Sequence, residues 1–250
     1  MQYGICHLSI IPIKSSPDEV SEMVTQLLFG EHFKVLESRK NWSRVRTILD
    51  KCEGWIMNSQ LVFIPEEEFV TLQQNKKRNY LSDLISFVED EQKILTPILL
   101  GSSIPDTPSL RINFDGALTS SPQPKENLIK TSLLYLNSPE VKGGKTPFGI
   151  DAAGFTQMVY KINGHHLLRT AENQSTQGMA LSFVEESEAG DLAFFDNASG
   201  IIDHVGLIME NNYVIHVNGK VRIDRIDHTG IFNTNLRTYT HQLRVIKKII

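Results

Sequence analysis

Residues 149–158 read GIDAAGFTQM, and the way this stretch folds decides how the C-terminal half of the chain is organised. Asp151 is followed by small residues and then by Phe155, Met158 and Val159 at helical spacing. Asp151 is therefore the expected N-cap, its carboxylate accepting backbone N–H groups that lack an intrahelical partner. The helix runs on through AAGFTQMVYKIN, and ENLIKTSLLYLN upstream has the same apolar spacing. Past the Glu-rich FVEESEAG come strand-like runs: DLAFFDN, HVGLIME, YVIHVN, KVRIDRI and QLRVIKKII. Helices followed by an antiparallel run predict an α+β domain over residues 123–250.

Outward from there, residues 1–64 read as short strands. HFKVLES, WSRVRTIL and GWIMNSQLVFI are β-rich runs separated by Gly30, the Arg39-Lys40-Asn41 turn and the Asp50 to Gly54 break. On these residues alone the segment is a small β-barrel. PDEVSEMVTQLLFG has helical spacing as well, so its state stays open at this level. Residues 65–122 are less regular. A polar, charged start precedes the β-like ILTPILL, and SSIPDTPSLRINFDGALTSSPQP breaks repeatedly at Pro, Ser and Gly around a strand-like LRINF. We expect a second, divergent barrel there, an Asp-Gly turn at NFDGA, and a linker at SSPQPKE.

At 250 residues, two or three domains are the natural division. A formal charge of −4 supplies no basic face for nucleic acid, so no nucleic-acid partner is expected. No segment approaches the roughly 20 apolar residues of a membrane span. MQYGICHLSIIPIKSSP lacks the basic start and apolar core of a signal peptide, which points to the cytoplasm, although a trimmed secreted chain would read the same. Cys6 and Cys52 make no disulfide framework and no metal spacing, and structural use is expected of both.

Across residues 123–250 the motifs resemble the NlpC/P60 cysteine peptidases. That family has a helix opening Asp-Cys-Ser-Gly-Phe, then Gly-Asp-Leu, then His-Val-Gly, then a strand ending in a second polar residue. This chain has Asp151-Ala152-Ala153-Gly154-Phe155, Gly190-Asp191-Leu192, His204-Val205-Gly206 and Ile215-His216. Gly30, Val35, Trp42, Val45 and Gly54-Trp55-Ile56 are similar in order to a bacterial SH3 domain. The resemblance implies a papain-like α+β domain behind two small SH3-like barrels, and it makes PDEVSEMVTQLLFG loop and strand. It places the chain near the branch that cuts γ-D-glutamyl-L-diamino acid bonds in cell-wall peptides, where the SH3 module caps the cleft.

In that family a cysteine at the helix N-terminus is the nucleophile, because the helix dipole favours its thiolate. A histidine moves the proton and a polar group orients that histidine. The resemblance thus puts Ala152 at the nucleophile position, His204 at the base and His216 at the orienting position. Substrate-side positions depart as well. Where relatives carry Tyr-x-Trp-Gly-Gly this chain has Glu140-Val141-Lys142-Gly143-Gly144; the Ser after the nucleophile is Ala153; and Arg-Asp-Ala/Ser becomes Arg169-Thr170-Ala171. Asp151, Arg169 and Gln174 are kept. The expected substrate-binding set is Asp151, Ala153, Glu140, Lys142, Arg169, Thr170 and Gln174.

A single replacement made to trap substrate changes one residue, whereas drift from peptidase function accounts for all of these departures together. The expectation is a chain inactive by the cysteine route that binds a muropeptide-like ligand or a protein partner. The alternative is an active γ-D-glutamyl-L-diamino acid endopeptidase seen as a nucleophile-less variant. A third reading makes it an interaction module whose cleft is filled by Glu140 and Lys142. Thr156 lies one turn past Ala152 with no base placed to activate it.

Plainer roles exist for several residues. Asp151 caps its helix whatever else it does, and a lone His204 reads as a satisfied buried histidine. His204 and His216 lack a visible third metal ligand, so no metal or cofactor is expected. His165-His166 reads as loop, Lys247-Lys248 as an exposed strand end, and Trp42 and Trp55 as barrel core.

Overall fold

A computed structural model describes residues 2–75, 78–120 and 122–250; Met1 and Ser121, the latter within the expected SSPQPKE linker, lie outside the described residues. The chain packs as two compact units, one of residues 1–122 with 142–146 and the other of residues 123–141 with 147–250. The unit changes between residues 122 and 123, residues 1–64 and 65–122 belong to one unit, and 142–146 joins them.

In the first unit, β1 (Gln2–Ile5), β2 (Ile10–Lys14), β3 (Met23–Leu28), β4 (His32–Ser38), β5 (Trp42–Thr47), β6 (Glu53–Met57) and β7 (Val62–Ile64) form one antiparallel sheet in the order β3-β2-β6-β5-β4-β1-β7. Alternation builds it. On β5, Ser43, Val45 and Thr47 are buried while Arg44 and Arg46 point out and pair with Glu53. Helical spacing in PDEVSEMVTQLLFG loses to this sheet: β3 pairs with β2 and sends Leu27 into a core of Cys6, Ile11, Ile13, Phe33, Val35, Val45 and Ile56. Trp55 is buried under the Arg39 guanidinium, 4.3 Å from the ring centroid, and Trp42 is half-buried.

The charged start of the second segment is a helix, α1 (Glu66–Gln74), which the sequence reading did not identify. Glu66, Glu67 and Glu68 occupy its first turn, where the helix dipole favours acidic side chains, and Phe69 stacks on Tyr3 of β1 at 4.1 Å. Where a second barrel was expected, the strands form two small sheets. β8 (Asn79–Leu81) pairs with β12 (Leu118–Ser120), and β9 (Ile85–Asp90) lies between β10 (Leu95–Leu99) and β11 (Ile112–Asn113). Their core of Leu81, Val88 and Ile98 is shared with Phe29 from the first segment, which explains why the two segments pack as one unit. A buried ion pair lies in this unit as well: Lys145 Nζ is 3.3 Å from a Glu31 carboxylate oxygen, and Glu31 also accepts the Leu28 N–H.

In the second unit, α2 (Asn127–Leu133), α3 (Ala152–Ile162) and α4 (Ala171–Gln174) precede and accompany a sheet of β13 (Met179–Leu181), β14 (Leu192–Asp196), β15 (Ile202–Met209), β16 (Tyr213–Asn218), β17 (Lys220–Ile226), β18 (Gly230–Asn233) and β19 (Thr238–Lys248). Its order is β13-β19-β14-β15-β16-β17-β18, and β18 pairs back onto β19, so six strands close into a small barrel. One face carries Ala193, Phe195, Ile208, Val214, Ile226, Ile231 and Ile246. Phe194, Val205, Leu207, Ile215 and Val217, which alternate with that face, are buried too, and α3 packs against β15 and β16. The Gly190-Asp191-Leu192 motif fixes this arrangement. Tyr160 of α3 donates its hydroxyl to the Gly190 carbonyl at 2.6 Å, and buried Asp191 receives Lys125 Nζ at 2.8 Å.

Candidate active site

The site lies in the second unit and starts at the N-terminus of α3. Asp151 has extended backbone angles and accepts the Gly154 N–H at 2.6 Å, so it is the N-cap that the sequence predicts. The same carboxylate takes a two-pronged contact from Arg169, Nη1 to Oδ1 at 3.0 Å and Nη2 to Oδ2 at 2.6 Å. A bidentate guanidinium–carboxylate pair fixes orientation as well as charge. Ala152 and Ala153 follow with buried methyl groups that offer no nucleophile.

Thr156 does not replace one. Its hydroxyl is fully buried, with its shortest contact to Gln174 Oε1 at 2.7 Å. Gln174, expected to face substrate, is also fully buried; its amide group donates to the Ala153 and Leu168 carbonyls, both at 2.9 Å. It braces the start of α3. Thr170 is exposed and caps α4 by accepting the Asn173 N–H.

Neither Glu140 nor Lys142 fills a cleft. Both are exposed, Glu140 accepting the Gly219 N–H at 2.6 Å and Lys142 pairing with Glu22 of its own unit at 2.9 Å. That corrects the reading in which these two side chains plug the space left by Tyr and Trp.

His204 and His216 are in contact, and two further residues join them. His204 Nε2 lies 3.0 Å from His216 Nδ1, and His216 Nε2 lies 3.0 Å from Asp224 Oδ2. Arg222 closes the chain with Nε to Asp224 Oδ2 at 2.6 Å and Nη2 to Oδ1 at 2.9 Å. Asp224 was missed in the sequence. Its signal lay in KVRIDRI, where Asp224 and Ile226 alternate onto the buried face and Ile223 is left exposed. Burial works to raise the Asp224 carboxyl, but hydrogen bonds from His216 and Arg222 outweigh it and hold it below its ordinary value. The ionised carboxylate therefore sets the proton on His216 Nε2 and leaves Nδ1 as acceptor.

His241 of β19 was also missed. Its ring stacks on His204 with centroids 4.0 Å apart, and its Nδ1 is 2.9 Å from Thr240 Oγ1. A bulge brings it there: Phe194 pairs with Val245 and Phe195 with Leu243, so Arg244 is skipped and the alternation shifts by one residue. Burial, then the neighbouring His241 and His216, push His204 well below the usual histidine value. Burial lowers His241 to about 4, with His216 adding to the effect. The hydrogen-bonded chain from His204 through His216 to Asp224 can relay and hold protons.

Comparison with known proteins agrees with this architecture. Residues 139–240 match the NlpC/P60 family and residues 13–61 match the bacterial dipeptidyl-peptidase SH3 domain. A gamma-D-glutamyl-L-lysine dipeptidyl-peptidase of Bacillus cereus is 27% identical over 78% of this chain and 67% of its own length. Dipeptidyl-peptidase 6 of Lysinibacillus sphaericus is 25% identical over 85% of this chain and 88% of its own length. A solved NlpC/P60 family protein from Bacillus cereus superposes with a TM-score of 0.81 at 18% identity, covering 99% of both chains, and so shares the fold. The chain carries a bacterial SH3 domain and an NlpC/P60 domain and is homologous to the gamma-D-glutamyl-L-lysine dipeptidyl-peptidases.

Proposed function

We propose that this NlpC/P60 domain is inactive by the cysteine route and binds, without cutting, a muropeptide-like peptide of the γ-D-glutamyl-L-lysine or γ-D-glutamyl-L-diamino acid class. The observation that carries the reading is the methyl group of Ala152, at the position the family resemblance gives to the nucleophile, combined with a complete His204–His216–Asp224 relay. Loss of a catalytic nucleophile costs about a millionfold in kcat where it has been measured in a serine protease. Ala153, Thr170, Glu140 and Lys142 differ from the family pattern on the substrate side as well, which favours drift over one isolated replacement. Arg169, held by Asp151, is kept, and Thr170 is exposed beside it. The ligand class comes from the relatives, whose names specify γ-D-glutamyl-L-lysine peptides; a protein partner is the other occupant this reading allows.

Titration calorimetry with L-Ala-γ-D-Glu-L-Lys tests it. The expected result is saturable binding, with the peptide recovered intact by mass spectrometry. Peptide consumption that disappears in His204→Ala would overturn the inactive reading, and absence of saturable heat would overturn the peptide-binding one.

A further inference from the structure

We propose that His204, His216 and His241 form a binding site for a divalent transition-metal ion of the zinc class. Each histidine offers one ring nitrogen, and the three nitrogens lie within 4.8 Å of one another. Two nitrogens held 2.0–2.1 Å from a tetrahedral ion are about 3.4 Å apart; His204 Nε2 and His216 Nδ1 stand at 3.0 Å. That spacing is close to one edge of a coordination tetrahedron, and an ion would take the place of the hydrogen bond between the two rings. The sequence reading found no third ligand for this pair, and the closed sheet with its bulge at Arg244 supplies it from β19.

The surroundings fit an ion independently of the spacing. Asp224 accepts from His216 Nε2, the carboxylate–histidine contact that orients metal-bound imidazoles and raises their basicity. It leaves the His216 Nδ1 lone pair directed at His204. With Nδ1–H donating to Thr240 Oγ1, 2.9 Å away, the Nε2 lone pair of His241 is left as the ligand. Binding then requires two local adjustments. His204 moves its proton from Nε2 to Nδ1, and the His241 ring turns out of its stack so that its lone pair converges with the other two. Imidazole donors suit zinc, copper, nickel and iron, and a site with three protein ligands keeps a fourth position for water or a carboxylate. All three protein ligands here are neutral imidazoles when bound.

This inference stands apart from the reading of Ala152, because it uses none of the residues at the start of α3. The test is zinc titration of chelator-treated protein by calorimetry, repeated with cobalt(II), whose tetrahedral complexes absorb strongly in the visible. One equivalent is expected, with the visible bands of a nitrogen-ligated tetrahedral cobalt ion. His241→Ala removes the half-buried third ligand, whose hydrogen bond is to Thr240 and not to the His204–His216–Asp224 chain, and should weaken binding at least tenfold and abolish the bands. Asp224→Asn should weaken it by about 10- to 100-fold. Where Asp224→Asn does not fold, His241→Ala decides alone. Absence of stoichiometric binding, or unchanged affinity and spectrum in His241→Ala, overturns the proposal.

Discussion

Replacing Asp151 separates its capping role from its ion pair. The Asp151 side chain is 22% exposed and its Arg169 partner 7% exposed. Asp151→Ala removes the acceptor for the Gly154 N–H, a cap worth about 1 kcal/mol. It also leaves a nearly buried guanidinium without its carboxylate, a loss of about 3–5 kcal/mol, toward the low end here because Asp151 is partly solvated. The alanine variant should therefore lose about 4 kcal/mol, and Asp151→Asn, which still caps, about 3 kcal/mol. Asp151→Ala combined with Arg169→Met should lose less than the sum of the two single changes, by roughly 1–3 kcal/mol, because the pair is then removed as a whole. Trp42 and Trp55 are the chain's two tryptophans and both lie in the first unit, so fluorescence does not report on this site. Far-UV circular dichroism in urea, with hydrogen exchange on peptides from α3, does. Equal losses for Ala and Asn would refute the capping role, and full additivity with Arg169→Met would refute the ion pair.

Three further outcomes follow from the same structure. Lys145→Met takes the paired ammonium from the buried Glu31 carboxylate, which keeps the Leu28 N–H, and should cost the first unit about 3 kcal/mol in urea melts followed by tryptophan fluorescence; a change under about 1 kcal/mol contradicts the pairing. His32 is held at about 4 by burial, with Arg78 adding to it, against 6.5 when unfolded. The unfolded chain therefore binds the proton first, so the His32 contribution is complete above pH 6.5 and is lost as pH falls toward 4, on the order of 3 kcal/mol. His32→Gln should flatten that part of the pH–stability curve, and an unchanged curve counts against it. A Cβ at Gly206 would sit 2.6 Å from Val214 Cγ2 and 3.1 Å from His216 Cβ, so Gly206→Ala should destabilise by about 1–3 kcal/mol and shift the His216 ring resonances in NMR spectra; undisturbed His216 signals would refute the close approach.

Local chemistry made much of this protein legible in its sequence. Asp151 capping α3, the alternation of β5 and the strand runs from Leu192 onward each express a preference that the tertiary structure keeps. α1 was missed although Glu66, Glu67 and Glu68 mark a helix start, because the polar stretch after them shows only Phe69 as a fully buried residue. The site was legible where contacts are near in sequence. His204 and His216 sit on adjacent strands, with Gly206 paired directly to His216. Asp224 required knowing which face of β17 points inward, against an apolar Ile223 that points out. His241 was beyond reach, because a bulge reverses the face on which it falls and closure of the sheet sets its neighbours. The period-2 rule predicts Gln242 beside Ile246, and the skipped Arg244 puts Leu243 and His241 there instead. The fate of Glu140 and Lys142 was equally illegible, since their partners are a backbone N–H at Gly219 and a carboxylate at Glu22, 79 and 120 residues away.

The most direct test of the account is mass spectrometry of L-Ala-γ-D-Glu-L-Lys after prolonged incubation with the protein at high concentration, alongside Ala152→Cys. The proposed reading predicts intact peptide with both, because Ala153 and Thr170 depart from the family pattern along with position 152. Rapid cleavage by Ala152→Cys, or any cleavage by the unmodified chain that vanishes with His204→Ala, would contradict it.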